Sequence, residues 1–163
     1  ANIMKMADGL FMRCGEEVSA DYPGIGFNTI IADNACMQMV RDPNQFDVLV
    51  SQNLFGDILA DLGAGIVGGI AAVWGELCGD DDIHVFEVLH GLAPSIEGKG
   101  VANPLPFLLP ARGLLEHLGE TEAAQRLGDA MSGALLDGVR TADLGGQADT
   151  AEFEKAVIER LQG

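Results

Sequence analysis

The sequence predicts an α/β fold in which a partial mixed sheet is flanked by helices. Short runs rich in β-branched residues, at 27–32, 46–50 and 84–89, indicate buried strands. Between and after them, apolar residues recur at the three- and four-residue spacing of helices. A chain of 163 residues is long enough for one domain, or is a piece of a larger one. The predicted strands are too few to form a complete sheet that helices cover on both faces.

Each helix follows from spacing and from the residues that end it. Apolar positions from Asp8 to Ala20 predict the first helix, which "DYPG" terminates. Pro110 is expected to kink or break a later one, because it lacks an N–H group. The remaining expected helices are 33–40, one starting between 53 and 57, 105–119, 121–139 and 150–161.

Charge and cysteine usage exclude several classes of function. Nine Lys and Arg against 25 Asp and Glu give a net charge of −16, which repels nucleic acids and anionic membranes. No apolar run reaches membrane-spanning length. Three cysteines, without a CxxC pair, favour a reducing compartment and ordinary interior thiols. We therefore expect a cytoplasmic protein, or one of the mitochondrial matrix.

The stretch "NLFGDILADLGAGIVGGI" carries the first candidate site. Asp57 and Asp61 are four residues apart, so a helix places them on one side. Asp33 directly follows the predicted strand 27–32, at the sheet edge where ligands bind in open α/β folds. Three carboxylates without a nearby His or Cys suit Mg²⁺ or Mn²⁺. The alternative is that acids in a first helical turn only complement the helix dipole.

The loop "HGLAPSIEGKGVANP", residues 90–104, carries the second candidate site. Its small residues leave backbone N–H groups accessible, and His90 and Asn103 supply directional hydrogen bonds. These features are compatible with an adenine and ribose site, although there is no GxGxxG fingerprint. The alternative is an ordinary loop. Outside both sites, His84 and His117 show no partners and "GDDD" (79–82) is expected to be a solvated turn.

Six motifs occur in order along nearly the whole chain, and together they resemble one family. They are "ANIMKMADGLF", "DNACMQMV", "QFDVLVSQNLFGDILADL", "GIVGGI", "VFEVLHGLAPSIEGKGVANP" and "TADLGGQADTAEF". The sequence resembles the C-terminal half of the β-decarboxylating dehydrogenases of isocitrate, isopropylmalate and homoisocitrate, and most of all the NAD-dependent isocitrate enzymes. The resemblance implies that residues 1–60 are part of the small, dimerisation domain. It makes residues 61–163 the C-terminal part of the large, cofactor-binding domain.

The resemblance also implies roles for the acids. Asp57 and Asp61, with Asp33 donated by the partner subunit, would bind Mg²⁺ or Mn²⁺. Asp33 and Asp57 would act in catalysis, the oxidative decarboxylation of isocitrate to 2-oxoglutarate in the tricarboxylic acid cycle. A shared site implies a homodimer or higher oligomer.

For the cofactor, the resemblance implies NAD rather than NADP. Glu87 and Asn2 would lie near the nicotinamide. Ser95 stands where NAD-linked members commonly carry aspartate, which argues against NAD. Ile96 replaces the aromatic residue of some NADP-linked members, which argues for NAD. The residues expected to contact the adenosine half are His90, Gly91, Ala93, Pro94, Ser95, Ile96 and Asn103.

One departure leaves the activity of this chain open. The family's catalytic lysine immediately precedes the alanine that is Ala1 here, and Lys5 is not its equivalent. The family's substrate arginines and catalytic tyrosine also lie upstream of that alanine. The alternatives are therefore a non-catalytic or regulatory nucleotide-binding subunit, or an isopropylmalate or homoisocitrate dehydrogenase.

Overall fold

The computed structural model describes residues 4–163, and Asn2 lies outside the described residues. The α/β class is confirmed: helices accompany a small two-stranded antiparallel sheet. The chain divides into two compact units, Ala1–Leu62 and Gly63–Gly163. Their assignment to a small and a large domain stays a prediction. The elements are α1 (Ala7–Ser19), α2 (Ala32–Arg41), α3 (Asn53–Val67), β1 (Trp74–Cys78), β2 (His84–Val88), α4 (Leu105–His117), α5 (Thr121–Leu136) and α6 (Thr150–Gln162).

The first unit contains two of the predicted helices and most of a third. α1 and α2 form where the periodicity predicts them. Among described residues 4–62, only Ala35 and Leu59 are buried. Gln52 Nε2 donates to Asp8 Oδ1 at 3.3 Å, which connects the start of α3 to α1.

The strands predicted at 27–32 and 46–50 are wrong. Ile31 and Phe46 have extended backbones, with φ/ψ of −75°/138° and −109°/115°, as expected near β-branched residues. A strand also needs a hydrogen-bonded neighbour, and within residues 4–163 neither segment pairs with another strand. The sheet is therefore smaller than the predicted mixed sheet.

The second unit contains a β-hairpin that packs against α4. Strand 84–89 is confirmed as β2, and it pairs in register with β1, which the sequence did not predict. Trp74 of β1 faces Gly113 of α4: a Cβ added at Gly113 would lie 2.5 Å from Trp74 Cη2. Glycine at this position lets the indole ring approach the helix backbone closely.

Three helices supply the core of the second unit. α4 continues through the buried Pro110, so the expected break does not occur, although the carbonyl of Pro106 loses its usual donor there. α6 begins with a capping box in which Asp149 and Glu152 satisfy each other's backbone N–H groups. The buried core consists of Leu105, Ala130, Met131, Ala134, Phe153, Ala156 and Val157.

Candidate functional site

Asp57 and Asp61 lie on α3 beyond its first turn. The helix begins at Asn53, and its first turn contains no acidic residue. The helix-dipole alternative therefore does not explain these two residues, because that effect falls off within the first turn. Both side chains are exposed, whereas Leu59 between them is buried. α3 thus packs through Leu59 and leaves its acidic side to solvent.

The two carboxylates are not compensated within the described part of the chain. In residues 4–163, neither the side chain of Asp57 nor that of Asp61 makes a hydrogen bond or ion pair. Like charges at this spacing cost a helix about 0.2–0.5 kcal/mol. A pair of unengaged carboxylates, which can only accept or ligate, fits the donor set of a hard divalent cation.

Asp33 fits the helix-dipole alternative better than the other two acids. It is exposed in the first turn of α2, where its Oδ1 accepts a hydrogen bond from the backbone N–H of Asn34 at 2.6 Å. Within residues 4–163, the three aspartates do not form a group whose oxygens all lie within 4.8 Å of one another. The contribution of Asp33 from a partner subunit stays a prediction.

Residues 91–100 are the most accessible part of the loop that forms the second candidate site. All ten are exposed, and Leu92 is 98% exposed. Ala93 adopts a left-handed φ of 46°, and its carbonyl accepts a hydrogen bond from the N–H of Ile96 at 3.0 Å. Exposed apolar side chains beside accessible backbone N–H groups suit a flat ring with polar edges. The members of the predicted cofactor set within this segment are Gly91, Ala93, Pro94, Ser95 and Ile96.

The C-terminal end of this loop is anchored by the beginning of α6. The backbone N–H of Thr150 donates to the carbonyl of Gly100 at 2.8 Å, and its hydroxyl donates to the carbonyl of Ala102 at 2.5 Å. This anchor was not predicted from the sequence. The D-x-x-E spacing of the capping box at Asp149 was the available signal, since it places Thr150 at a helix start.

Asn103 has a structural role in addition to its predicted cofactor contact. Its Oδ1 accepts from the N–H of Leu105 and its Nδ2 donates to Asp143 Oδ2, both at 2.9 Å. Asp143 in turn accepts from the hydroxyl of Thr141, which is fully buried. Thr141 and Asp143, which hold Asn103 in place, were not predicted from the sequence.

His90 and Glu87 flank the loop on its N-terminal side. His90 Nδ1 donates to the carbonyl of Gly91 at 2.9 Å, and its ring meets Phe107 edge-on with a centroid distance of 6.0 Å. This leaves Nε2 of His90 available for another partner. Glu87 is exposed on β2 and pairs across the hairpin with Gly75.

The expectation that His84 and His117 lack partners is wrong. The two imidazole rings lie 4.1 Å apart between centroids, and His84 Nδ1 lies 2.6 Å from Glu76 Oε1. The cysteines also depart from expectation, because Cys14 and Cys78 are exposed. Desolvation, together with the negative charge of Glu76 and a hydrogen bond to it, raises the pKa of Cys78.

Among the residues that the structure describes, no helix combines the length and the apolar character that crossing a membrane requires.

Comparison with known proteins agrees with the motif pattern. The family model for isocitrate/isopropylmalate dehydrogenase matches residues 1–157. The chain is 44% identical to NAD isocitrate dehydrogenase catalytic subunit 5, mitochondrial, of Arabidopsis thaliana over 99% of this chain and 43% of that protein. It is 47% identical to the isocitrate/homoisocitrate dehydrogenase of Thermus thermophilus over 99% of this chain and 48% of that protein.

A solved structure shows the same fold. The isocitrate dehydrogenase of Methylococcus capsulatus superposes with a TM-score of 0.92 at 43% identity, covering all of this chain and 49% of that one. The chain thus spans about half the length of the relatives it matches. On this match to the family model, the chain belongs to the isocitrate/isopropylmalate dehydrogenase family.

Proposed function

We propose that this chain is part of an NAD-dependent isocitrate dehydrogenase that requires Mg²⁺ or Mn²⁺. The observation that carries the proposal is the exposed pair Asp57 and Asp61, which lies beyond the first turn of α3 and is engaged by no described residue. The names of the Arabidopsis and Thermus relatives support isocitrate as substrate, and the former supports NAD.

In this proposal the acids of the first unit hold the metal and the substrate. Asp57 and Asp61 ligate the cation from one face of α3, and Asp33 reaches it from a partner subunit. At this site Mg²⁺ or Mn²⁺ would supply Lewis-acid chemistry, polarising the substrate oxygen and stabilising negative charge as carbon dioxide leaves. By holding the cation, the aspartates would fix the position of the hydroxyl and carboxylate of a 2-hydroxy acid, which favours one orientation for hydride transfer.

The loop of the second unit binds the adenosine half of NAD. Leu92 and Ile96 provide apolar contact area for the adenine ring, and the backbone N–H groups around Ala93 and Ser95 provide donors. The anchors from Thr150 and Asn103 hold the loop before NAD arrives, so less conformational entropy is lost on binding. His90 Nε2 and Glu87 add polar contacts on the nicotinamide side of the loop.

Assembly follows from the exposed apolar surface of the first unit. Large apolar side chains such as Phe11, Ile30 and Val48 are exposed there, and surfaces of this kind mark contacts with other protein segments. We propose a homodimer or larger oligomer that shares Asp33 between subunits. Its location is a reducing compartment, either the cytoplasm or the mitochondrial matrix, and the name of the Arabidopsis relative, which is mitochondrial, supports the second.

Asp57→Asn in the full-length protein tests the metal assignment. We expect NAD reduction with isocitrate and Mn²⁺ to fall by more than the roughly 10–100-fold typical of residues that only support a ligand. Mn²⁺ binding, followed by electron paramagnetic resonance of the free ion, should weaken in parallel. Asp21→Asn is the matched control, since Asp21 is exposed in a turn outside both candidate sites.

Retained Mn²⁺ binding and turnover in Asp57→Asn would contradict the proposal. A full-length wild type that binds Mn²⁺ and NAD but does not oxidise isocitrate would replace it with the regulatory alternative. Faster turnover of homoisocitrate than of isocitrate would keep the metal assignment and change the substrate, as the name of the Thermus relative anticipates.

A further inference from the structure

We propose that Asp82, His84 and His117 bind a divalent transition metal ion of the Zn²⁺ type where the hairpin meets α4. One ligand atom from each residue lies within 4.8 Å of the other two. His84 Nε2 is 3.5 Å from Asp82 Oδ1. Ligands about 2.0–2.1 Å from a tetrahedral ion are separated by about 3.4 Å, so only small side-chain movements would close the site.

The fold brings the three residues together through the packing of Trp74. His84 and Phe86 are two residues apart on β2, so both lie on the hairpin face that meets α4. Trp74, on the paired strand β1, contacts Gly113 of α4. His117 lies one helical turn after Gly113, on the same side of α4. Its ring therefore lies against that of His84, tilted by 37° with a centroid distance of 4.1 Å, and lies 5.7 Å from the ring of Phe86.

Glu76 orients the imidazole of His84 for metal binding. An ionised carboxylate can only accept, so the 2.6 Å contact requires Nδ1 of His84 to donate its proton to Glu76. In the neutral ring, Nε2 is then unprotonated and faces Asp82. Histidine ligands in metal sites almost always donate their other N–H to a carboxylate or carbonyl in this way.

The same contact disfavours the competing grouping on the other side of the ring. Glu76, Cys78 and His84 also lie close enough together to be considered as ligands. That grouping would use Nδ1, whose proton is already donated to Glu76. The structure therefore favours the Nε2 side, which faces Asp82.

The ligand types determine the class of ion. Two imidazoles and one carboxylate select Zn²⁺ and its neighbours over Mg²⁺, which prefers oxygen ligands. Three protein ligands leave a fourth position open for water. Since Asp82 lies in the hairpin turn and His117 at the end of α4, a bound ion would connect two elements that otherwise meet through ring packing.

Zinc titration of the full-length protein tests this inference. The protein is first stripped of metal with a chelator, and ZnCl₂ is then titrated into it in the presence of excess Mg²⁺, with calorimetry measuring the binding. We expect Asp82→Asn to weaken one site per chain by at least about tenfold, and Glu76→Gln by roughly 10–100-fold. Asparagine tolerates the left-handed φ of 58° at Asp82, so the turn should persist. Asp81→Asn is the matched control, because it removes the same charge from the same turn.

Thermal melting separates binding from folding. Without zinc, Asp82→Asn and Asp81→Asn should melt alike, and zinc should raise the melting temperature of the control more than that of Asp82→Asn. Equal zinc affinities of Asp82→Asn and Asp81→Asn would overturn the proposal. So would a wild type that binds no zinc in excess Mg²⁺.

Discussion

Residues 4–62 and residues 63–163 have similar apolar sequences but bury them very differently. In the first unit only Ala35 and Leu59 of the described residues are buried, and side chains such as Phe11 and Val50 remain exposed. In the second unit, Phe153 and Ala134 are completely buried in a core built from α4, α5 and α6. Apolar composition therefore does not by itself create a core, because the elements must also be able to cover one another.

The difference also separates the two candidate sites. The acids of α3 are in the unit with little internal packing, whereas the candidate cofactor loop, residues 90–104, is hydrogen-bonded to the rest of the well-packed unit through Thr150 and Asn103. A site that binds a charged ion tolerates an exposed setting, while a loop that must present its backbone benefits from a rigid support.

The largest expected effect comes from truncating a phenylalanine in each unit of the 163-residue chain. Phe153→Ala should lower the free energy of unfolding by about 3–5 kcal/mol, because it leaves a cavity in the core. Phe11→Ala should cost about 1 kcal/mol or less, since its ring is 40% exposed. Urea denaturation, monitored by hydrogen exchange in α1 and α6, measures the loss of unfolding free energy in both variants. Equal costs would contradict the contrast between the units.

A second prediction concerns the packing of α4 on the hairpin. Gly113→Ala should destabilise the second unit by about 1–3 kcal/mol, because the added methyl group overlaps Trp74. Gly128→Ala is the matched control: it is also a buried helical glycine, but its nearest neighbour is the flexible side chain of Arg112 at 3.4 Å. We expect the control to be neutral or stabilising, as measured by thermal melting. A neutral Gly113→Ala would show that the Trp74 contact is adjustable.

The anchor of the candidate cofactor loop yields a third, smaller effect. Asp149→Ala removes the capping box of α6 and should cost about 1 kcal/mol. Hydrogen exchange should speed up in the first turn of α6 and, through Thr150, in residues 100–102. Glu120→Ala is the control, because Glu120 precedes α5 without a side-chain capping bond. Faster exchange confined to α6 would show that the loop does not depend on this anchor.

The smallest prediction tests whether the acids of α3 are retained at a cost in stability. Without metal, Asp57→Asn should stabilise the chain by about 0.2–0.5 kcal/mol, since it removes the like-charge pair with Asp61. Melting in chelator measures this gain, and Asp21→Asn should show none. Destabilisation by Asp57→Asn would mean that Asp57 contributes to folding, which would weaken the case for a metal ligand.

Helices were predictable from the sequence because their pattern is local. The spacing of Leu10, Cys14 and Val18 sufficed to predict α1. For α4 the helix itself was predicted, and only the break expected at Pro110 was wrong. Strands were less predictable because a ladder depends on a partner. Ile30 and Val48 lie in segments with the composition of strands but without a neighbour in the described residues, whereas β1 contains Gly75 and Glu76 and does not look like one.

The candidate sites follow the same rule. Asp57 and Asp61 could be predicted to share a face because four residues separate them on one helix. The contact of His84 with His117 could not, because it depends on the Trp74–Gly113 packing and on a strand that was missed. The anchor from Asp143 to Asn103 spans 40 positions and has no signature in the sequence.

The order of the two units along the chain has a consequence for synthesis in the cell. Residues 4–62 leave the ribosome before residues 63–163, so the poorly covered surface emerges ahead of the self-contained core. Domains made early usually fold first, but here the segment that contains the buried hydrophobic core is made later. Described residues 4–62 do not bury Phe11, Ile30 and Val48 by themselves, so during synthesis these side chains depend on another protein segment for cover while the α4–α6 core is still being made.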